Sequence, residues 1–361
     1  MRRQKRGSGY AREKDARSTL NALLVQLDRG TYIAEATDPF AKFLLEWIET
    51  RTGDLRPSTL HSYRRNIECH VIPRIGATAL GKIDPGILNR LYAELGKDGA
   101  RRNGGPGGLS ARTIQYIATI IGAALSDAVR WGRLAGNPAI AARPPRPRAS
   151  GSRQIEAWSA PTLKSFLTAS SAYGDRYYPL WVVLASTGAR RDEVLGLRWS
   201  DVDLDAARAR IVQTVIAIAH RVEFGDPKTE AGLRSIALDS GTVRVLRAWK
   251  VRQAEERLAL GAGYRDHGLI FAKLTGEPLH PERVSREFLR RVDRWSLQRI
   301  PLHGLRHTWA TLALGPGIHP RVVQERLGHA SIAVTLGVYS HVTTNHDADA
   351  AAIIAAQFQI L

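Results

Sequence analysis

The sequence predicts a mainly α-helical protein with a small antiparallel β-sheet in its C-terminal half, an α+β arrangement spread over more than one domain. Three observations carry this reading. Apolar residues recur at helical spacing through most of the chain, as in "LSARTIQYIATIIGAALSDAVRWG", where Ile114, Ile117, Ile121, Leu125 and Val129 share a face. One interval breaks that rhythm: "ARARIVQTVIAIA", "HRVEFG" and "LRSIALD" are short runs rich in Val, Ile and Thr. Between the two halves lies "AARPPRPRASGSRQ", whose prolines, small residues and arginines read as an extended tether. At 361 residues, 44% hydrophobic and 24% charged, the chain is globular and too long for one typical core.

Taken in order, residues 1–37 form a basic arm with seven Lys/Arg against two Asp/Glu up to Arg17, then a helix from about Lys14 to Leu27 that ends at Gly30. Residues 38–142 form a helical domain. In "DPFAKFLLEWIE", Asp38 reads as the cap and Pro39 as the first helical position. "SYRRNIECHVIPRIG" reads as a helix stopped by Pro73 and Gly76, and "DPGILNRLYAEL" repeats the Asp-Pro start. Residues 143–157 are the Pro/Arg-rich linker. Residues 158–361 begin with the helical stretches "SAPTLKSFLTAS" and "YYPLWVVLASTGARRDEVLGLRW", pass through the β interval, and return to helix.

The net charge of +18 and pI near 10.5 call for a polyanionic partner, because such a surplus repels itself in the folded state. A membrane is disfavoured: the longest apolar run, "YYPLWVVLAST", is too short to span a bilayer, and there is no basic amphipathic terminal helix. The basic N-terminus has no apolar stretch behind it, so it is not a secretory signal, and a cytoplasmic location is expected. The single cysteine, Cys69, excludes an internal disulfide or a cysteine metal cluster and reads as a buried structural thiol.

Four segments carry residues suited to chemistry. In "STGARRDEVLGLRWSDVDL", Arg190 and Glu193 stand three apart at a helix start, the plain alternative being a surface ion pair. In "DPKTEAGLRSIAL", Lys228 sits between two predicted strands, at a hairpin tip; solvated lysines are ordinary there. Yet only nine of the 52 basic residues are lysines, and lysine, unlike arginine, can release a proton. In "PLHGLRHTWATLAL", His303, Arg306 and His307 fall at helical spacing. The two histidines lack the acid and third ligand of a zinc site, so His303 with Arg306 suits an anionic oxygen and His307 suits packing beside Trp309. Last, "LGHASIAVTLGVYSH" holds His329 and Tyr339, the tyrosine being by itself an ordinary packing aromatic.

In this order the four segments resemble the boxes of the tyrosine recombinases of the phage integrase family, over about Ser159 to His341. "TGARRDEVLGLRW" is similar to the first arginine box, "PKT" with the later "RSIAL" to the β-hairpin lysine segment, "HGLRHTWAT" to the His-x-x-Arg box, and "LGHASIAVTLGVYSH" to the closing His and Tyr box. The helical region before the linker resembles the family's SAM-like core-binding domain by size, position and helix pattern. The resemblance implies a site-specific recombinase whose catalytic domain follows that core-binding domain. It would cleave and rejoin DNA through a 3′-phosphotyrosine, with no cofactor, metal or ATP. Arg190, Lys228, His303, Arg306 and His329 would form the pocket and Tyr339 the nucleophile, with Glu193 supporting. It also implies double-stranded DNA with attachment-site-like core sites as the partner, a homotetramer on two duplexes, and accessory bending or directionality proteins. The setting would be a bacterial or prophage-encoded protein at the nucleoid. The tail "NHDADAAAIIAAQFQIL" reads as a short apolar helix, which in the family docks on a neighbouring subunit; packing on its own domain is the alternative. The arm before residue 38 departs from the family's β-containing arm-binding domain and matches at most its last helix. Competing readings are a catalytically inactive DNA-binding protein of the same fold, a transposase or dimer-resolution recombinase using the same chemistry, and a type IB topoisomerase.

Overall fold

Helix starts in the N-terminal half follow local cap chemistry where the chain offers it. The computed structural model describes residues 12–28, 36–97, 105–147, 156–219, 221–227, 230–315, 318–328 and 331. These fall into two compact units, one up to Gly151 and one beyond it.

The first unit is helical. It comprises α1 (Glu13–Asp28), α2 (Phe40–Thr50), α3 (Pro57–Asn66), α4 (Ile72–Ile75), α5 (Pro85–Leu95) and α6 (Ala111–Arg130). Asp84 caps α5 by accepting from the Ile87 amide at 2.7 Å, and Ser110 caps α6 through the Thr113 amide at 3.2 Å. The start of α2 differs from expectation. Pro39, not Asp38, is its N-cap, and no side chain caps it. Pro39 is held extended by a bridge to Ala79, and the first amides of α2 donate to the Thr78 and Gly76 carbonyls (2.8 and 2.9 Å). Asp38 pairs with Lys42 instead.

Nor does Pro73 stop a helix. A single π turn, Ile67–Val71, joins α3 to α4, with the Ile72 amide donating to the Ile67 carbonyl. The widened turn puts Pro73 in the first turn of α4, where no amide donor is needed. Gly76 does end the segment. Cys69, in the π turn, is half-buried rather than buried.

The core of this unit packs Phe40, Phe43, Leu44, Trp47 and Ile48 of α2 against α5 and the Ile117, Ile121, Leu125 face of α6. Inside it, buried Asp127 accepts from the Trp47 indole at 2.7 Å and from Arg51 at 2.6 Å, and also pairs with Arg130. Asp127→Ala would leave a buried indole N–H and a guanidinium without their acceptor. It is expected to cost about 2–4 kcal/mol, read as a lowered urea midpoint by tryptophan fluorescence.

The second unit contains α7 (Ala160–Ala172), α8 (Tyr178–Thr187), α9 (Arg191–Leu195), β1 (Val202–Asp203), β2 (Arg208–Ile211), β3 (Thr214–Ile218), β4 (Arg221–Gly225) and β5 (Arg234–Ala237). Then follow α10 (Ser240–Leu260), α11 (Pro281–Arg294), α12 (Gly304–Leu314) and α13 (Pro320–Leu327). Among the described residues, all strand pairs are antiparallel, as expected, but they form two sheets rather than one: β1-β2-β5 and the β3-β4 ribbon. The predicted run "ARARIVQTVIAIA" breaks at Val212 and Gln213, where the Gln213 side chain donates through Nε2 to the Gly196 carbonyl at 2.6 Å. The strands flanking Lys228, β4 and β5, therefore belong to different sheets and are not hairpin partners.

An aromatic cluster of Trp158, Phe166, Trp181 and Phe288 centres this core, with ring centroids 5.1–6.3 Å apart. The Trp158 amide donates to the Thr308 hydroxyl at 2.9 Å, which ties the start of the unit to α12. Among the described residues, no helix is long and apolar enough to cross a membrane.

Candidate active site

Gly188 closes α8 in the left-handed conformation, φ +65°. A Cβ there would come within 2.9 Å of both the Trp309 ring and the Leu327 side chain, so the turn requires glycine on two counts. The tightness has a use. It presents the Gly188 carbonyl to Arg306, which donates to it at 3.0 Å and to the Leu327 carbonyl at 2.7 Å. Arg306 comes from α12, is only 4% exposed, and so joins the ends of α8 and α13. Both carbonyls lie at helix C-termini, where the helix dipole favours a cation.

Two residues after Gly188, Arg190 forms the N-cap of α9. Glu193 reaches back to accept from the Arg190 amide at 2.9 Å and from its guanidinium at 2.8 Å. Arg190 also donates to the Gly328 carbonyl at 3.2 Å. Its side chain is 40% exposed whereas that of Glu193 is 2% exposed, so this is no surface ion pair. Arg234, the first residue of β5, takes both oxygens of the same carboxylate, at 2.7 and 3.2 Å. Burial opposes the ionisation of Glu193. Hydrogen bonds and charge from Arg234, then the Arg190 amide and side chain, outweigh it and hold the carboxyl below its usual range.

His303 is the N-cap of α12, and its ring meets His307 edge-to-face at 4.9 Å. Desolvation, then the positive fields of His307, Arg306, Arg190 and Arg191, push the His303 imidazole down to about 4. The residue still reaches solvent, which moderates the desolvation part; the surrounding cations set the same direction independently. His303 is therefore neutral at physiological pH, with one nitrogen able to accept a proton. His307 is shifted the same way, by burial and then by Arg306.

The structure thus gathers Arg190, Glu193, His303 and Arg306, drawn from α9 and α12, around the turns at Gly188 and Gly328. Lys228, His329 and Tyr339 lie outside the described residues, as do the ends of the chain. Among the described residues, no group of three or more His, Cys, Asp or Glu side chains could hold a metal. Arg234 is the residue that sequence reasoning passed over. It shares the inward face of β5 with buried Ile236, and an arginine on the buried face of a strand demands a carboxylate partner.

Comparison with known proteins identifies the family. The family model described as the phage integrase family matches residues 160–346, and that of the phage integrase N-terminal SAM-like domain matches residues 39–96. A tyrosine recombinase XerC-like protein of Caldanaerobacter subterraneus is 27% identical over 65% of this chain; the match spans 63% of that protein's length. An integrase of Streptomyces ambofaciens is 26% identical over 93% of this chain and 84% of its own. Among solved structures, a lambda integrase tetramer bound to a Holliday junction superposes with TM-score 0.58 at 16% identity, covering 93% of this chain and 89% of that one, which shows the shared fold. The chain belongs to the phage integrase family, the tyrosine recombinases that cleave and rejoin DNA at specific sites.

Proposed function

We propose that this chain recombines DNA by two successive transesterifications at one phosphate, with Tyr339 as the nucleophile. The Tyr339 oxygen attacks the scissile phosphorus, the bond to the 5′ oxygen breaks, and a 3′-phosphotyrosine remains. Lys228 gives its proton to the departing 5′ oxygen, and His303 takes the phenol proton. In the reverse step a 5′-hydroxyl from another strand attacks and the phenolate leaves. The phosphodiester energy is kept throughout, so no ATP is consumed.

The observation that carries this reading is the fixed pair of guanidinium groups, Arg190 and Arg306, beside a neutral imidazole. Negative charge spread over the non-bridging oxygens is met by cations whose orientation is already set, so little reorganisation is needed during reaction. A phosphate entering the site also offsets the arginine field and raises the affinity of His303 for a proton, strengthening it as a base when DNA is present. His329 donates to a phosphate oxygen. The helical unit holds the flanking duplex as a core-binding domain, with base readout by a few side chains and affinity from the +18 charge. The lambda integrase tetramer on a junction supports a homotetramer on two duplexes here, with DNA-bending or directionality partners deciding the direction of reaction.

The test is covalent trapping. Duplexes nicked so that the 5′-hydroxyl fragment diffuses away should leave the protein attached to DNA through a bond that survives denaturant. A library of such duplexes that yields no adduct under any sequence overturns the proposal.

A further inference from the structure

We propose that Arg234 is a positioning residue for strand cleavage: it satisfies the charge of buried Glu193, leaving the charge of Arg190 to the scissile phosphate, and pins the last turn of α13 to β5. This rests on the cleavage chemistry proposed above.

The sharing of Glu193 between two arginines is unequal. Arg234 is 8% exposed and spans both carboxylate oxygens, whereas Arg190 reaches only one with its side chain and stays 40% exposed. One negative charge between two positive ones leaves a net positive charge, and the more exposed partner is where an incoming anion meets it. With Arg234 removed, Glu193 and Arg190 become a pair that sums to zero. A phosphate would then compete with a buried carboxylate for the same guanidinium, in surroundings that screen little.

The second contribution is geometric. Arg234 also donates through Nε to the Arg326 carbonyl at 2.8 Å and through Nη1 to the Gly232 carbonyl at 3.2 Å. Gly328 turns beside it at φ +65°, and a Cβ there would lie 2.9 Å from Arg234 Nη1 and from the Ala231 carbonyl oxygen. The Gly328 carbonyl in turn accepts from Arg190. One guanidinium therefore links β5, the carboxylate of α9 and the C-terminal turn of α13. In the sequence these are the stretch following Lys228, the Arg190 box, and the residues just before His329.

A purely structural role would make Arg234 matter for folding alone, and a charge test separates the two. Single-turnover adduct formation by the full-length chain is measured on saturating nicked duplex, alongside DNA affinity and thermal melting. R234M is expected to slow cleavage about 100-fold while DNA affinity stays within about threefold. Adding E193Q to R234M removes the stranded carboxylate and should bring the rate back to within about tenfold of wild type. R234K keeps the charge and should also stay within about tenfold. A folded double variant that cleaves as slowly as R234M, or an R234K as slow as R234M, overturns the inference. Should R234M fail to fold, the double variant and R234K decide by the same limits. Absence of an adduct with the wild-type chain would remove the cleavage reading itself, an outcome distinct from a failure confined to the variants.

Discussion

Tyr339→Phe is expected to bind DNA like the wild-type chain and to form no covalent adduct on a nicked duplex. The substitution deletes one oxygen and keeps the ring. If Tyr339 serves only to pack, phenylalanine satisfies that role and activity survives. If it is the nucleophile, the proposed mechanism offers no substitute: there the histidines and the lysine bind phosphate or manage protons, and arginine stays charged and non-nucleophilic. The phenol suits both directions of the reaction. Its reference pKa of about 10 lets it ionise far more readily than an aliphatic hydroxyl, and leave more readily when the strand is resealed. The loss should exceed about 10,000-fold in adduct yield, with affinity changed less than about twofold, because a single hydroxyl adds little to a charge-dominated association. An adduct in the variant would sink the nucleophile assignment. Loss of both binding and adduct would instead give the Tyr339 hydroxyl a structural role.

What could be read from the sequence depended on how far each determinant lay along the chain. The start of α5 was legible because Asp84 caps an amide three residues away. Pro39 and Pro73 were misread because their roles are set elsewhere: by the Thr78 and Gly76 carbonyls in one case and by a π turn in the other. The β interval was visible from its Val, Ile and Thr content. Its division into two sheets falls at Val212 and Gln213, where Gln213 bonds to Gly196, a contact that no alternation pattern records. At the site, Arg190, Glu193, His303 and Arg306 stood out through the order of their boxes. Nothing local distinguished the buried Arg306, fixed by two carbonyls, from the more open Arg190. Arg234 carries no local signal of its role, because its carboxylate partner lies 41 positions away.

That difference between the two arginines sets the second large effect, at Arg306. Arg306→Lys preserves the charge, so an account based on net charge predicts near-normal cleavage. The geometry predicts otherwise. The planar fork of Arg306 is oriented by the Gly188 and Leu327 carbonyls together, at 3.0 and 2.7 Å, from the ends of two different helices. An ammonium group is a single point at the end of a flexible stem. It cannot hold both carbonyls and face a phosphate oxygen in a fixed plane. Cleavage at saturating DNA should fall about 100- to 1,000-fold, the range seen when one oriented donor to a developing oxyanion is lost. Leaving one of these buried carbonyls without its donor should also cost about 1–3 kcal/mol of stability. The two effects are separable. Thermal melting reads the second, and single-turnover cleavage at a temperature well below the melting transition reads the first. Near-wild-type cleavage by a stably folded lysine variant would mean that charge alone suffices at this position.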